Sequence, residues 1–197
     1  MSDRLSRPLI IVAAFAVSLA IGLGITLWLT DGLSKVATAS AIGGPFQLVD
    51  QTGQPVSDKN LKGKPTIIFF GFTHCPDVCP TSLFEMSEIL RVMGDDAKRV
   101  NAFFVSVDPE RDTPPIMKDY LSSFDPNLRG LSGSPEATAQ VISSYRVYAK
   151  KVPLKDGDYT MDHTALIYLL DRDGRFVAPF NIKRRPEEAA ADLKKYL

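Results

Sequence analysis

The sequence predicts an α/β domain preceded by one transmembrane helix, and three features carry that expectation. Pro8–Thr30 contains no formal charge, which suits a lipid-facing helix better than a soluble core. Two near-continuous apolar runs, Thr66–Phe72 and Val100–Val107, flank a segment with helical spacing; buried strands joined by a helix imply parallel pairing in a sheet covered on both faces. Late in the chain, Thr164–Leu170, the turn Asp171–Gly174 and Arg175–Phe180 read as an antiparallel hairpin, followed by a helix over Pro186–Leu197.

As a helix, Pro8–Thr30 would span roughly 34 Å at about 1.5 Å per residue, against about 30 Å of hydrocarbon, so one crossing with some tilt suffices. Arg4 and Arg7 precede it, while Asp31 and Lys35 follow, which keeps a short N-terminus in the cytoplasm and exports the rest. Trp28, near the outer end, suits an interface. The alternative is a signal peptide cleaved near Ala37-Thr38-Ala39, but signal cores have about 7–15 apolar residues and this one is longer. The expected organisation is a cytoplasmic N-terminus (residues 1–7), an anchor (8–30), a small and polar linker (31–44) and one exported domain (45–197).

That domain opens with a small hairpin, Phe46–Val49 and Gln54–Ser57 around the turn Asp50–Gly53. The helix over Thr81–Met93 places Leu83, Met86, Ile89, Leu90 and Met93 on one face. After the second buried strand come a polar, proline-rich loop over Asp108–Pro115, a helix over Ile116–Phe124, a short strand over Leu128–Leu131 and a helix over Pro135–Tyr145. Strand, cysteine motif, helix, strand, then a late hairpin and a closing helix is the order of a thioredoxin-like domain with inserted elements.

Lysines plus arginines number 23, as do aspartates plus glutamates, and no basic run or aromatic-interleaved patch occurs, which excludes nucleic-acid binding as a class. The only two cysteines stand in His74-Cys75-Pro76-Asp77-Val78-Cys79-Pro80, between buried strand and helix. Pro80 suits a first helical turn, where its missing N–H costs nothing. The helix dipole at that start is expected to lower a cysteine pKa and so favour thiolate, the form that reacts and binds metal. Four residues apart, the sulfurs can share a face, so either a disulfide or a common metal ion is open to them. A thioredoxin motif has two intervening residues rather than three, which moves weight toward metal.

Two thiolates leave a metal site incomplete, and the sequence offers two histidines, His74 and His163. His74 adjoins Cys75, so its side chain should diverge from the site. His163 stands at the edge between a charge-rich loop and a central strand, the natural place for a third ligand. Zinc prefers four tetrahedral ligands, whereas soft thiolates with one imidazole suit copper, Cu(I) accepting low coordination. Met161 could share the face of His163, though core packing explains it better. Asp77 near the sulfurs would oppose their ionisation, and Asp108, Glu110, Arg111 and Asp112 read either as a locally paired cluster shaping the turn or as a partner guide.

At these residues the chain resembles the Sco/SenC family of membrane-anchored copper chaperones. The resemblance runs through Phe70–Pro80, Val107-Asp108-Pro109-Glu110-Arg111-Asp112-Thr113-Pro114, Tyr145-Arg146-Val147-Tyr148 and Asp162-His163-Thr164. It implies a thioredoxin-like fold and copper, as Cu(I), Cu(II) or both, held by Cys75, Cys79 and His163, with Cys75 and Cys79 also a redox-active pair. It further implies delivery of copper to the binuclear copper site of cytochrome c oxidase, with reduction of that site's cysteines as an added role. The expected partners are the oxidase copper-site subunit, another copper chaperone and a thioredoxin-like reductant. The expected place is the inner membrane, single-pass, with the domain in the periplasm or the equivalent intermembrane space. The alternative function is a membrane-anchored thiol–disulfide reductase without obligatory copper transfer, in which one thiolate attacks a target disulfide and the other resolves it. A peroxidase and a purely structural disulfide are the weaker readings.

Overall fold

The computed structural model describes residues 6–38, 42–155 and 157–197. They fall into two separate units, divided between Ala41 and Ile42. The first contains helix α1 (Ser6–Thr38), whose side chains are described from residue 11 to residue 27 and are exposed there. Among the described residues no helix is long and apolar enough to cross a membrane. Part of the expected anchor, the Trp28 side chain, residues 1–5 of the N-terminal segment and residues 39–41 of the expected linker lie outside the described residues. The helical backbone of α1 runs through Thr38, so the polar composition after Asp31 does not interrupt it.

The second unit is built on one seven-stranded sheet. Its strands in chain order are β1 (Gln47–Asp50), β2 (Pro55–Ser57), β3 (Thr66–Gly71), β4 (Asn101–Ser106) and β5 (Leu128–Ser132). Strands β6 (Ala149–Pro153) and β7 (Tyr159–His163) form a sheet of their own, and β8 (Ile167–Leu170) and β9 (Phe176–Pro179) complete the large one. The spatial order is β2-β1-β5-β4-β3-β8-β9. Strand β3 lies between β4 and β8, parallel to β4 from Thr66↔Asn101 to Gly71↔Ser106, and antiparallel to β8 from Thr66↔Leu170 to Phe69↔Ile167. All six residues of β3 are buried, as the apolar run predicts.

Helix α2 (Val78–Met93) buries Cys79, Ser82, Leu83, Met86, Ile89, Leu90 and Met93, the face expected from the sequence, and packs on α5 (Pro186–Lys194). It begins earlier than Thr81, so Cys79 is already a helical residue and Pro80 completes the first turn. Helices α3 (Pro114–Leu121) and α4 (Pro135–Ser144) follow, each opening on a proline, and α3 lies against β5. Close approach there depends on Gly130, where a Cβ would fall 2.6 Å from Met117 Sδ. The first hairpin is closed by Asp50, whose carboxylate accepts from Thr52 N–H at 2.9 Å, Thr52 Oγ1 at 2.6 Å, Gln54 N–H at 3.0 Å and Arg129 Nη2 at 2.7 Å. Burial pushes that carboxyl up, but these bonds outweigh it and hold the pKa at about 2.

The expected elements are present with ends shifted by a few residues, and one expectation is corrected. The charge-rich loop expected before His163 is part of an antiparallel pair, β6–β7, in register from Ala149↔His163 to Pro153↔Tyr159. Its residues are intermediate or exposed on both faces, so it shows no alternation of apolar and polar residues to reveal it. His163 is the last residue of β7.

Candidate metal centre

Gly71 ends β3, and the loop Phe72–Asp77 carries Cys75 before α2 takes up Cys79. The Cys75 backbone N–H donates to Phe72 O at 3.3 Å, folding the loop back on itself. The Cys79 backbone N–H, one of the orphan donors of the first helical turn, donates to Cys75 Sγ at 3.4 Å. Cys75 is partly buried, Cys79 fully so, and both are free thiols. Gly71 makes room for this arrangement, because a Cβ there would stand 2.8 Å from Cys79 Sγ and 2.6 Å from Phe104 Cε2.

His163 reaches the same point from β7. Its Nε2 lies 3.6 Å from Cys79 Sγ, and the ligand atoms of Cys75, Cys79 and His163 all lie within 4.8 Å of one another. The opposite ring nitrogen, Nδ1, is 3.1 Å from Thr164 O. A carbonyl oxygen only accepts, so Nδ1 is the donor here, and in the neutral ring the lone pair then sits on Nε2, facing the sulfurs. The ring is walled by Phe72, edge-on with centroids 5.7 Å apart, and by Phe69 at 6.2 Å.

One electrostatic expectation is overturned. Burial pushes the Cys79 thiol well above its ordinary pKa, outweighing the lowering effect of the backbone bond at Phe72, while Cys75 and Asp112 push it further up. Desolvation of the charged form exceeds what a helix start supplies. A sulfur buried in this way keeps its proton against water, but gives it up to a soft cation that replaces it directly.

Of the other candidates, His74 is exposed, with Nδ1 3.1 Å from its neighbour Thr73 Oγ1, and takes no part in the cluster. Met161 is half-buried and packs against the core. Asp77 is exposed at the N-cap of α2 without a side-chain capping bond. The charged loop is a locally paired cluster. Asp108 accepts from Arg111 Nε at 2.6 Å and from Tyr159 Oη at 2.9 Å, and Lys151 Nζ donates to Glu110 at 2.7 and 2.8 Å. Asp112 accepts from Ser106 Oγ at 2.6 Å and from Thr73 through Oγ1 at 2.7 Å and its backbone N–H at 3.2 Å. Burial raises the Asp112 pKa against these bonds.

Tyr159 was not legible as a site residue. It stands 51 residues from Asp108 in sequence, inside a segment without strand periodicity, and no local signal marks it.

Two soft thiols and one imidazole on a single point form a three-donor set. That set is one ligand short for structural zinc and suited to copper. The comparisons with known proteins agree. The family described as SCO1/SenC matches residues 34–197. The mitochondrial protein SCO1 homolog 1 of Arabidopsis thaliana is 45% identical over 142 residues, covering 72% of this chain and 42% of that protein. The human mitochondrial protein SCO1 homolog is 40% identical over 159 residues, covering 79% of this chain and 53% of that protein. The chain thus spans about half the length of these curated relatives. Among solved structures, Bradyrhizobium japonicum ScoI with copper bound is 79% identical, covers 80% of this chain and 100% of that one, and superposes with a TM-score of 0.79.

Proposed function

The chain belongs to the SCO1/SenC family, and from that premise we propose that it is a copper carrier that serves assembly of cytochrome c oxidase. Cys75, Cys79 and His163 hold one copper ion as cargo, and the oxidase subunit carrying the binuclear copper site receives it. The observation that carries this reading is the convergence of two sulfurs and the His163 ring within 4.8 Å, in a relative of a protein solved with copper bound. Cu(I) needs few ligands. The ion can therefore pass by stepwise exchange, one incoming ligand replacing the imidazole before the sulfurs let go.

The same cluster weighs against a reductase without copper. Thiol exchange by itself needs only the two sulfurs, whereas here the His163 Nε2 stands 3.6 Å from Cys79 Sγ and completes a three-donor set. Reduction of the target's cysteines by the Cys75–Cys79 pair is an added role, with a further copper chaperone supplying the metal and a thioredoxin-like reductant resetting the pair. We place the chain in the inner membrane, anchored by the charge-free segment Pro8–Thr30, with the domain in the periplasm or intermembrane space.

Copper stoichiometry of the reduced full chain in detergent tests the reading. One ion per chain is expected. Cys75→Ala or Cys79→Ala should abolish its retention against a competing chelator, and His163→Ala should weaken retention of Cu(II), the state that depends on the imidazole. Unchanged copper binding in any of the three variants would remove that residue from the site.

A further inference from the structure

One buried polar network ties the loop that carries the sulfurs to the hairpin that carries the imidazole. On the sulfur side, Thr73, two residues before Cys75, is held by Asp112 through its hydroxyl and backbone N–H. Asp112 in turn accepts from Ser106 Oγ at 2.6 Å, and the same hydroxyl accepts from the Asp108 backbone N–H at 2.9 Å. On the imidazole side, Asp108 binds Tyr159 Oη, while Arg111 donates from Nη1 to Tyr159 O at 3.0 Å. The Arg111 guanidinium also lies over the Tyr159 ring, 3.7 Å from its centroid, and 5.9 Å from the centroid of Phe72, the ring that walls His163. Asp108 and Asp112 are each 1% exposed, so the network is shielded from competition by water. Strand β7 begins at Tyr159 and ends at His163. Because β6–β7 is not part of the large sheet, its position depends on side-chain contacts such as these.

We propose that Asp108, Arg111 and Tyr159 are positioning residues for the metal centre, a latch that fixes where the His163 imidazole stands relative to the two sulfurs. The proposal rests on the copper reading above. Its consequence is selective. Two thiolates can satisfy Cu(I), whereas Cu(II) prefers more ligands in a tetragonal arrangement and depends on the imidazole. Loosening the latch should therefore weaken Cu(II) and spare Cu(I).

The experiment compares the full chain in detergent with Tyr159→Phe, Arg111→Ala, Arg111→Lys and His163→Ala, and with Tyr159→Phe in the His163→Ala background. Cu(I) and Cu(II) affinities are measured by chelator competition, and the Cu(II) forms by EPR and sulfur-to-copper charge-transfer absorption. Tyr159→Phe and Arg111→Ala should each lower Cu(II) affinity by up to about 10-fold, the lower end of what losing a direct outer partner of a metal ligand costs, because they act on His163 through strand β7 rather than by touching it. Their EPR signal should move toward that of His163→Ala, and their Cu(I) affinity should stay within about twofold. Arg111→Lys should recover only part of the loss, because an ammonium cannot at once stack on Tyr159, donate to Asp108 and donate to Tyr159 O as the planar guanidinium does. With His163 gone, Tyr159→Phe should change neither affinity further, since the latch acts only through that ring. A parallel fall in both affinities, a loss that persists without His163, or an unchanged EPR signal would overturn the latch. If His163→Ala itself leaves Cu(II) unchanged, the ligand assignment fails and the latch with it, an outcome distinct from failure of the latch alone. Should Arg111→Ala not fold, Tyr159→Phe, which removes one hydroxyl, carries the test by itself.

Discussion

Replacing Gly71 with alanine would add one methyl group where the sheet meets both the aromatic core and the sulfur site. Its Cβ would stand 2.8 Å from Cys79 Sγ and 2.6 Å from Phe104 Cε2, whereas ordinary contact begins near 3.4 Å. To restore contact, the sulfur would have to retreat about 0.6 Å and the ring edge about 0.8 Å. Neither has free space to enter, since Cys79 and Phe104 are both fully buried. Overpacking of this kind costs about 1–3 kcal/mol, so the urea midpoint should fall without a change in slope. Metal–ligand distances tolerate about 0.2 Å, less than the shift demanded of the sulfur. Copper should therefore dissociate faster from Gly71→Ala than the loss of stability alone explains. Urea unfolding of the apo-protein, paired with transfer of Cu(I) to a chelator, measures both effects. A variant with parental midpoint and parental transfer rate would refute the reasoning that this glycine is there to let the sulfur in.

Further outcomes follow from the same structure. Asp50, held at about 2 in the folded protein, supplies stability that is fully present above its unfolded pKa near 4. About 2 kcal/mol of that stability should be lost as pH falls from about 4 through 2. Asp50→Asn should flatten the pH dependence of the urea midpoint in that window. Ser134→Ala removes the hydroxyl that accepts from Ala137 N–H at 3.2 Å at the start of α4 and should cost about 1 kcal/mol, read by thermal melting. Glu110→Gln breaks an exposed pair with Lys151 and should shift stability by less than about 1 kcal/mol, with no effect at high salt.

Sequence and structure agree wherever a periodic pattern or a rare residue type carries the information. The strands Thr66–Gly71 and Asn101–Ser106 follow from near-continuous apolar runs, and the buried face of α2 from apolar residues at a period of 3.6. The grouping of Cys75, Cys79 and His163 was legible because two cysteines and two histidines leave few combinations, and adjacency to Cys75 set His74 apart. Hairpin β6–β7 was hidden because Lys150, Lys151 and Pro153 lie exposed beside half-buried Ala149 and Val152, so neither face reads as core. The network around Asp108 was seen as a charge cluster but not as a link to His163, since its partner Tyr159 is distant in sequence and no short motif joins them. The helix-start argument predicted the wrong direction for Cys79 because burial, a property of the folded whole, exceeds a dipole effect that the local sequence does reveal.

The central claim is that two sulfurs and one imidazole share a single copper ion, and X-ray absorption at the copper edge tests it most directly. The copper-loaded full chain should show two sulfur neighbours and one nitrogen neighbour with imidazole outer-shell scattering, and His163→Ala should lose the imidazole signature while keeping both sulfurs. A spectrum with oxygen and nitrogen neighbours only, or one that His163→Ala leaves unchanged, would contradict the account.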